Sequence, residues 1–220
     1  MYATRFQQRP DIAPDVVHFT KGESVAAAFL ILKKILGERR LQGGLGFIRS
    51  PSRCVCFTEA PLTHLCEVFR WSSPDGLRYK PFGIVVSKRW LFERGGRPVI
   101  YQTEAEYDEL PEGLGYRHVR YEPASDPVID FTWEREWRIR TESLELEPSV
   151  VRVVVPSSEF YDDLLRDHND AQDSLVQQYA QAVGAQQAEM YRDPFPWTMI
   201  NLEELRPDWH FNQDRSPDSR

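Results

Sequence analysis

Long apolar runs are missing from this chain. No stretch reaches the roughly 18 consecutive apolar residues that a membrane span requires, and residues 1–10 are polar, without the apolar core of a secretory signal. Cysteine is scarce, with three in 220 residues, at positions 54, 56 and 66. So small and odd a number does not make a disulfide framework. Nor does the spacing supply the set of about four ligands that a structural zinc needs. Buried thiols in a reducing compartment are the expectation. The GxGxxG and GxxxxGK[ST] phosphate loops, HExxH and GxSxG are absent as well. Positive charge is not in excess: the formal net charge is −7 and the pI is about 5.3, which argues against a body built to coat nucleic acid. Together these absences predict a cytoplasmic protein with no membrane and no metal in its chemistry.

What the chain does have is enough apolar residue, 41%, for a substantial core. Its length fits one larger domain, expected over residues 1–210, followed by a polar, disordered tail at 211–220. An arm over residues 1–14 precedes the first strand, Val16 to Phe19. Thr20-Lys-Gly-Glu23 matches a capping box, and Val25, Phe29, Leu32, Ile35 and Leu36 follow at helical spacing, predicting a helix from Glu23 to Leu36. After the Gly43–Gly46 loop, strands are expected at Arg53–Thr58, Phe82–Ser87, Pro98–Gln102, Phe131–Arg140, Val150–Val155 and Trp197–Leu202. Shorter helices are expected at Pro61–Trp71 and Lys88–Arg94, and two more at 158–167 and 169–187. Residues 104–128 read as a long excursion without regular structure. Strands crowd the middle and helices the ends, an α+β rather than a βαβ arrangement.

Three groups of residues carry chemistry. Val17-His18-Phe19-Thr20 ends a strand, and a neutral imidazole can donate from one nitrogen and accept at the other, as a sugar hydroxyl demands. The same residues fit a structural histidine beside a helix cap. In Trp133-Glu134-Arg135-Glu136-Trp137-Arg138, strand alternation places Glu134, Glu136 and Arg138 on one face and the tryptophans on the other. That face is either a reacting site, in which each carboxylate tunes its neighbour, or an ion-paired surface. Arg49-Ser-Pro-Ser-Arg53 follows a glycine-rich lead-in and can grip phosphate bidentately, or form an ordinary basic loop.

In their order, these groups with Cys56-Phe57-Thr58-Glu59-Ala60-Pro61-Leu62, Gly83 to Trp90, Arg97 to Tyr101 and Glu134 to Arg138 resemble the AbiGi-like abortive-infection proteins. Those are distantly similar to DarT-type ADP-ribosyltransferases. The resemblance spans Val16 to Ile139. It implies an ADP-ribosyltransferase-like split β-sheet core with flanking helices that clamps NAD, the substrate that donates ADP-ribose. His18, with Phe19 and Thr20 beside it, would hold the adenosine ribose. Phe57 would pack near the nicotinamide, where relatives often carry Tyr, with Tyr101 on a neighbouring strand. Glu136, helped by Glu134, would act on the nicotinamide ribose, and Arg49 or Arg53 would meet the pyrophosphate. The implied role is a phage-defence or toxin–antitoxin effector that modifies DNA, RNA or protein. The rival reading is a non-catalytic antitoxin or interaction module in the same kind of system. A metal-dependent nuclease using Glu134 and Glu136 is a third.

Overall fold

The computed structural model describes residues 12–46, 48–71 and 79–211. Most of the N-terminal arm and nearly all of the C-terminal tail lie outside the described residues.

A seven-stranded mixed sheet forms the centre. In chain order its strands are β1 (Asp15–Lys21), β3 (Cys54–Thr58), β4 (Tyr79–Ser87), β5 (Arg97–Pro98), β8 (Glu136–Arg140), β10 (Arg152–Val155) and β11 (Thr198–Asn201). Their spatial order is β11-β10-β4-β1-β3-β8-β5, and only β10 and β11 run parallel. Two small ribbons accompany it: β2 (Arg40–Gln42) with β9 (Ser143–Glu145), and β6 (Ile100–Gln102) with β7 (His118–Arg120). The helices are α1 (Val25–Glu38), α2 (Leu62–Trp71), α3 (Lys88–Glu93), α4 (Ser158–Val183), α5 (Ala185–Ala188) and α6 (Leu202–Leu205). The architecture is therefore mixed, a central sheet with helices flanking it.

Both faces of the sheet are apolar because the strands alternate over two cores. Val16, Val55, Phe57, Ile84, Val86, Ile139 and Val153 pack beneath Phe29 and Leu32 of α1 and Phe160 of α4. Val17, Phe19, Val85 and Val154 pack against Leu65 and Cys66 of α2 and Leu202 of α6. This two-sided burial explains why the β4 sequence reads as an almost continuous apolar run.

Several expected boundaries move, each for a local reason. Helix α1 starts at Val25, not Glu23, because the Ser24 side chain accepts from the amide of Ala27 and caps it; Thr20 belongs to β1. The expected helices at 158–167 and 169–187 are one helix, since no Gly or Pro interrupts the chain before Gly184, which ends it with φ of 85°. Pro98–Gln102 divides between β5 and β6, in different sheets. The 104–128 excursion holds two short 3₁₀ turns, Ala105–Glu109 and Glu112–Arg117, and then β7. Strand β8 begins at Glu136, not Phe131: Asp130 accepts from Thr132 and opens a 3₁₀ turn over Thr132–Glu134, and Arg135 follows with φ of 45°. Strand pleating therefore does not orient Trp133 or Glu134, and Trp133 lies exposed.

Candidate active site

The ladder is thinnest at the middle of the sheet. Strand β1 stays paired with β4 from Asp15↔Ser87 through Lys21↔Tyr79, but it registers with β3 only at Val17↔Thr58. Past that point the next link between β1 and β3 is made by a side chain, His18. On the β3 side, Thr58 faces Glu136 and Cys56 faces Arg138 across the ladder, so the pleat sets these four side chains on one surface.

Glu136 is held by its own strand. Arg138 Nε and Nη2 reach the two oxygens of Glu136 at 2.8 and 3.1 Å, while Arg138 Nη1 donates to the carbonyls of Tyr116 and His118. Both side chains are largely buried. The guanidinium is thus fully committed, and the carboxylate is fixed rather than free to swing.

Glu134 reaches the same surface by the 3₁₀ turn. Its carbonyl accepts from Thr58 Oγ1 at 2.5 Å, and the neighbouring turn is tied down where Tyr101 Oη donates to the Phe131 carbonyl and accepts from the Glu136 amide. The two carboxyls are unlike in their surroundings. Burial, and then the charge of Glu136, pushes Glu134 up to about 7, against the opposing pull of Lys21 and Arg138. Tyr79, at the start of β4, faces the pair: burial and then the charges of Glu134 and Glu136 push its phenol up. The Cys56 thiol is raised for the same reasons, burial first and then Glu136.

His18 meets this group through the backbone. Its Nδ1 lies 2.8 Å from the carbonyl of Cys56. A carbonyl only accepts, so Nδ1 carries the proton. Burial, and secondarily Lys21, lowers the pKa of the ring, which also makes an edge contact with Phe57 at 5.8 Å between centroids. Cys56 touches His18 only through its carbonyl: Val17↔Thr58 sets Thr58, Cys56 and Glu136 on the face of Val17, whereas His18, opposite Ile84, turns with Phe57 toward the core under α1, so the imidazole and the Glu136 carboxylate do not share a face of the sheet. Phe57, the next residue, alternates away into the core beneath α1.

No family model, curated protein or solved structure matches the chain.

The remaining residues expected at the site divide. Thr20 Oγ1 is buried without a hydrogen-bond partner, an uncommon state for a buried hydroxyl. Tyr101 lies at the site through its phenol. Phe19 is packed in the core with Ala60 and Leu65, and Phe57 is 2% exposed, so neither ring offers a free face. Arg49 pairs with Glu104 and Asp108 and stacks on Tyr107 at 3.9 Å. Arg53 pairs with Glu142 and donates to the Gly43 carbonyl. Arg53 also precedes β3, roughly 16 Å along the strand from Thr58. Neither arginine belongs to the carboxylate group. Glu59, the acid of the Cys56–Leu62 segment, is structural: it accepts from Trp137 Nε1 at 2.8 Å and pairs with Lys88 at 2.9 Å.

Sequence reading missed Tyr79 and Lys21. The signal for them is Pro81. Extending the register Phe19↔Gly83 by two residues would pair Lys21 with Pro81, which has no N–H for the ladder. Strand β4 bulges instead, and Lys21 pairs with Tyr79. Among the described residues no group of three His, Cys, Asp or Glu could hold a metal ion, and no helix is long and apolar enough to cross a membrane.

Proposed function

We propose that this chain binds NAD beside the Glu134–Glu136 carboxyl pair and transfers ADP-ribose to a macromolecular acceptor, as its resemblance to AbiGi-like and DarT-type proteins implies. The observation that carries the reading is the unequal carboxyl pair. Glu136 is fixed by Arg138, while Glu134 beside it is pushed up to about 7. Environments that separate two adjacent acids in this way divide labour between them.

In this scheme the C–N bond between ribose and nicotinamide breaks, and its electron pair leaves with nicotinamide. Positive charge develops on the ribose ring, and the Glu136 carboxylate stabilises it in the transition state more than in the ground state. The acceptor nucleophile attacks the anomeric carbon and yields its proton to Glu134, which near neutral pH exchanges protons readily. The sparse pairing of β1 with β3, registered only at Val17↔Thr58, supports an ADP-ribosyltransferase-like core.

One observation favours the second reading, a non-catalytic interaction module: Arg49, Arg53 and Phe57, all expected to contact NAD, are engaged elsewhere. Incubation of the pure protein with labelled NAD and cell extract separates the two. Label transfer to extract supports the transferase, and absence of both NAD binding and transfer supports the module. The acceptor, whether DNA, RNA or protein, is then read from the labelled fraction. A dependence on a cognate antitoxin would appear as inhibition by that partner.

A further inference from the structure

We propose that Tyr101 is a positioning residue of the carboxyl pair: its one hydroxyl staples the two ends of the turn that carries Glu134 and so keeps that carboxyl beside Glu136. A role for this staple in catalysis rests on the transferase reading, whereas the staple itself rests on hydrogen bonds.

A hydroxyl can donate once and also accept, and Tyr101 does both on one short loop. Its Oη donates to the Phe131 carbonyl at 3.3 Å and accepts from the Glu136 amide at 3.1 Å. Phe131 stands just before the Thr132–Glu134 turn, and Glu136 opens β8 just after it. A single oxygen therefore closes the loop at its base, with Glu134 inside the closure. Strand pairing leaves this place to the phenol. The Val99 amide donates to the Glu136 carbonyl at 3.0 Å, but β5 ends at Pro98, and the Glu136 amide goes to Tyr101 instead of to a strand.

The closed loop is strained. Arg135 takes φ of 45°, which a residue with a side chain holds only where its surroundings impose it. Thr58 Oγ1 and the Glu59 amide hold the middle of the turn through the carbonyls of Glu134 and Arg135, and Tyr101 holds its ends. The support is shared. Tyr101 lies on β6 opposite Val119 of β7, and the carbonyls of Tyr116 and His118 beside it bind Arg138. Glu136 is thus braced through the guanidinium and Glu134 through the phenol, from one side of the sheet.

The groups that act on Glu134 are Glu136 and Arg138 of β8, Lys21 of β1, Tyr79 of β4 and Tyr101 of β6. Burial first and Glu136 second push Glu134 up to about 7. A released turn lets the carboxyl reach water and leave Glu136, which removes both causes.

The test is NMR on the full chain: titration of the Glu134 carboxyl carbon, assigned by its loss in Glu134→Gln, and hydrogen exchange of the Glu136 amide. Tyr101→Phe keeps the ring and loses only the hydroxyl. Val176→Ala, a truncation on α4 outside both sheet cores, controls for general destabilisation. In Tyr101→Phe, Glu134 is expected to titrate at least about one pH unit lower, about a tenfold change in its proton equilibrium, and the Glu136 amide to exchange at least about tenfold faster. Val176→Ala should leave the Glu134 midpoint at the parental value. An unchanged midpoint in folded Tyr101→Phe, an equal fall in Val176→Ala, or a Glu136 amide unprotected in the parent would overturn the proposal. Failure of the transferase reading looks different: the midpoint falls in Tyr101→Phe, yet the parent releases no nicotinamide from NAD. Conversely, turnover of NAD by the parent with an unmoved midpoint in Tyr101→Phe removes the staple and leaves the transferase standing.

Discussion

Arg138 clasps Glu136 with two of its nitrogens from two residues further along the same strand, at 2.8 and 3.1 Å. Residues at i and i+2 share a face of a strand, so the pair is local and forms wherever β8 forms. Its remaining nitrogen ties it to the carbonyls of Tyr116 and His118, which anchors the 3₁₀ turn and β7 to the sheet. A buried guanidinium that loses its carboxylate is left uncompensated, at a cost of about 3–5 kcal/mol. Glu136→Ala is therefore expected to lower the urea midpoint strongly. Glu136→Gln, which keeps an acceptor oxygen, should lower it less, and equilibrium denaturation followed by circular dichroism distinguishes the two.

Glu134 gives stability a pH dependence of definite sign. Its acid form is favoured in the fold, with the pKa moved from 4.5 up to about 7 by burial and by Glu136. The folded state then holds more protons than the unfolded state between those values, so this group's contribution falls as pH rises through the window. Glu134→Gln removes the effect. Relative to the variant, the parent should lose stability from pH 4.5 to beyond pH 7, with no further divergence above that range. A flat difference across the window would show that Glu134 is not buried beside a second carboxyl.

His18 works in the other direction. Its pKa is lowered from 6.5 by burial and by Lys21, so the fold favours the neutral ring. Its contribution is complete above pH 6.5 and is lost as pH falls toward the folded pKa. NMR titration of the imidazole should place its midpoint below 6.5. A midpoint above it would contradict both the burial and the nearby positive charge.

Gly83 fixes how closely β1 approaches β4. A Cβ at this position would lie 2.8 Å from the His18 carbonyl and 3.1 Å from both Phe19 and Val17. Backbone cannot yield as a flexible side chain does, so Gly83→Ala should destabilise by about 1–3 kcal/mol, the usual range for overpacking. It should also perturb the His18 amide and ring signals. A variant as stable as the parent, with unchanged His18 signals, would show that β1 is not pinned there.

Much of this architecture was legible in the chain, and the exceptions have physical causes. The apolar runs of β3, β4 and β10 and the helical spacing of Val25 to Leu36 reported buried faces directly, because burial selects residue type. Glu134 and Glu136 were expected together by strand alternation, and they are together, but by another route. Asp130 bonds Thr132 and Arg135 turns left-handed, a turn that periodicity does not register. The commitments of Arg49 and Arg53 depended on acids distant in sequence, Glu104, Asp108 and Glu142, which no local pattern names. Tyr79 and Lys21 were hidden because their pairing follows from the register of two strands and the missing amide of one proline.

Nicotinamide release from NAD, compared between the parent chain and Glu136→Gln, bears on the proposed catalytic role of Glu136 most directly. Circular dichroism must first establish that both are folded. The parent is expected to release nicotinamide in the presence of extract, and the variant to do so at least about a hundredfold more slowly, a loss of roughly 2.7 kcal/mol of barrier lowering. A folded variant that turns NAD over at the parental rate would remove Glu136 from the chemistry.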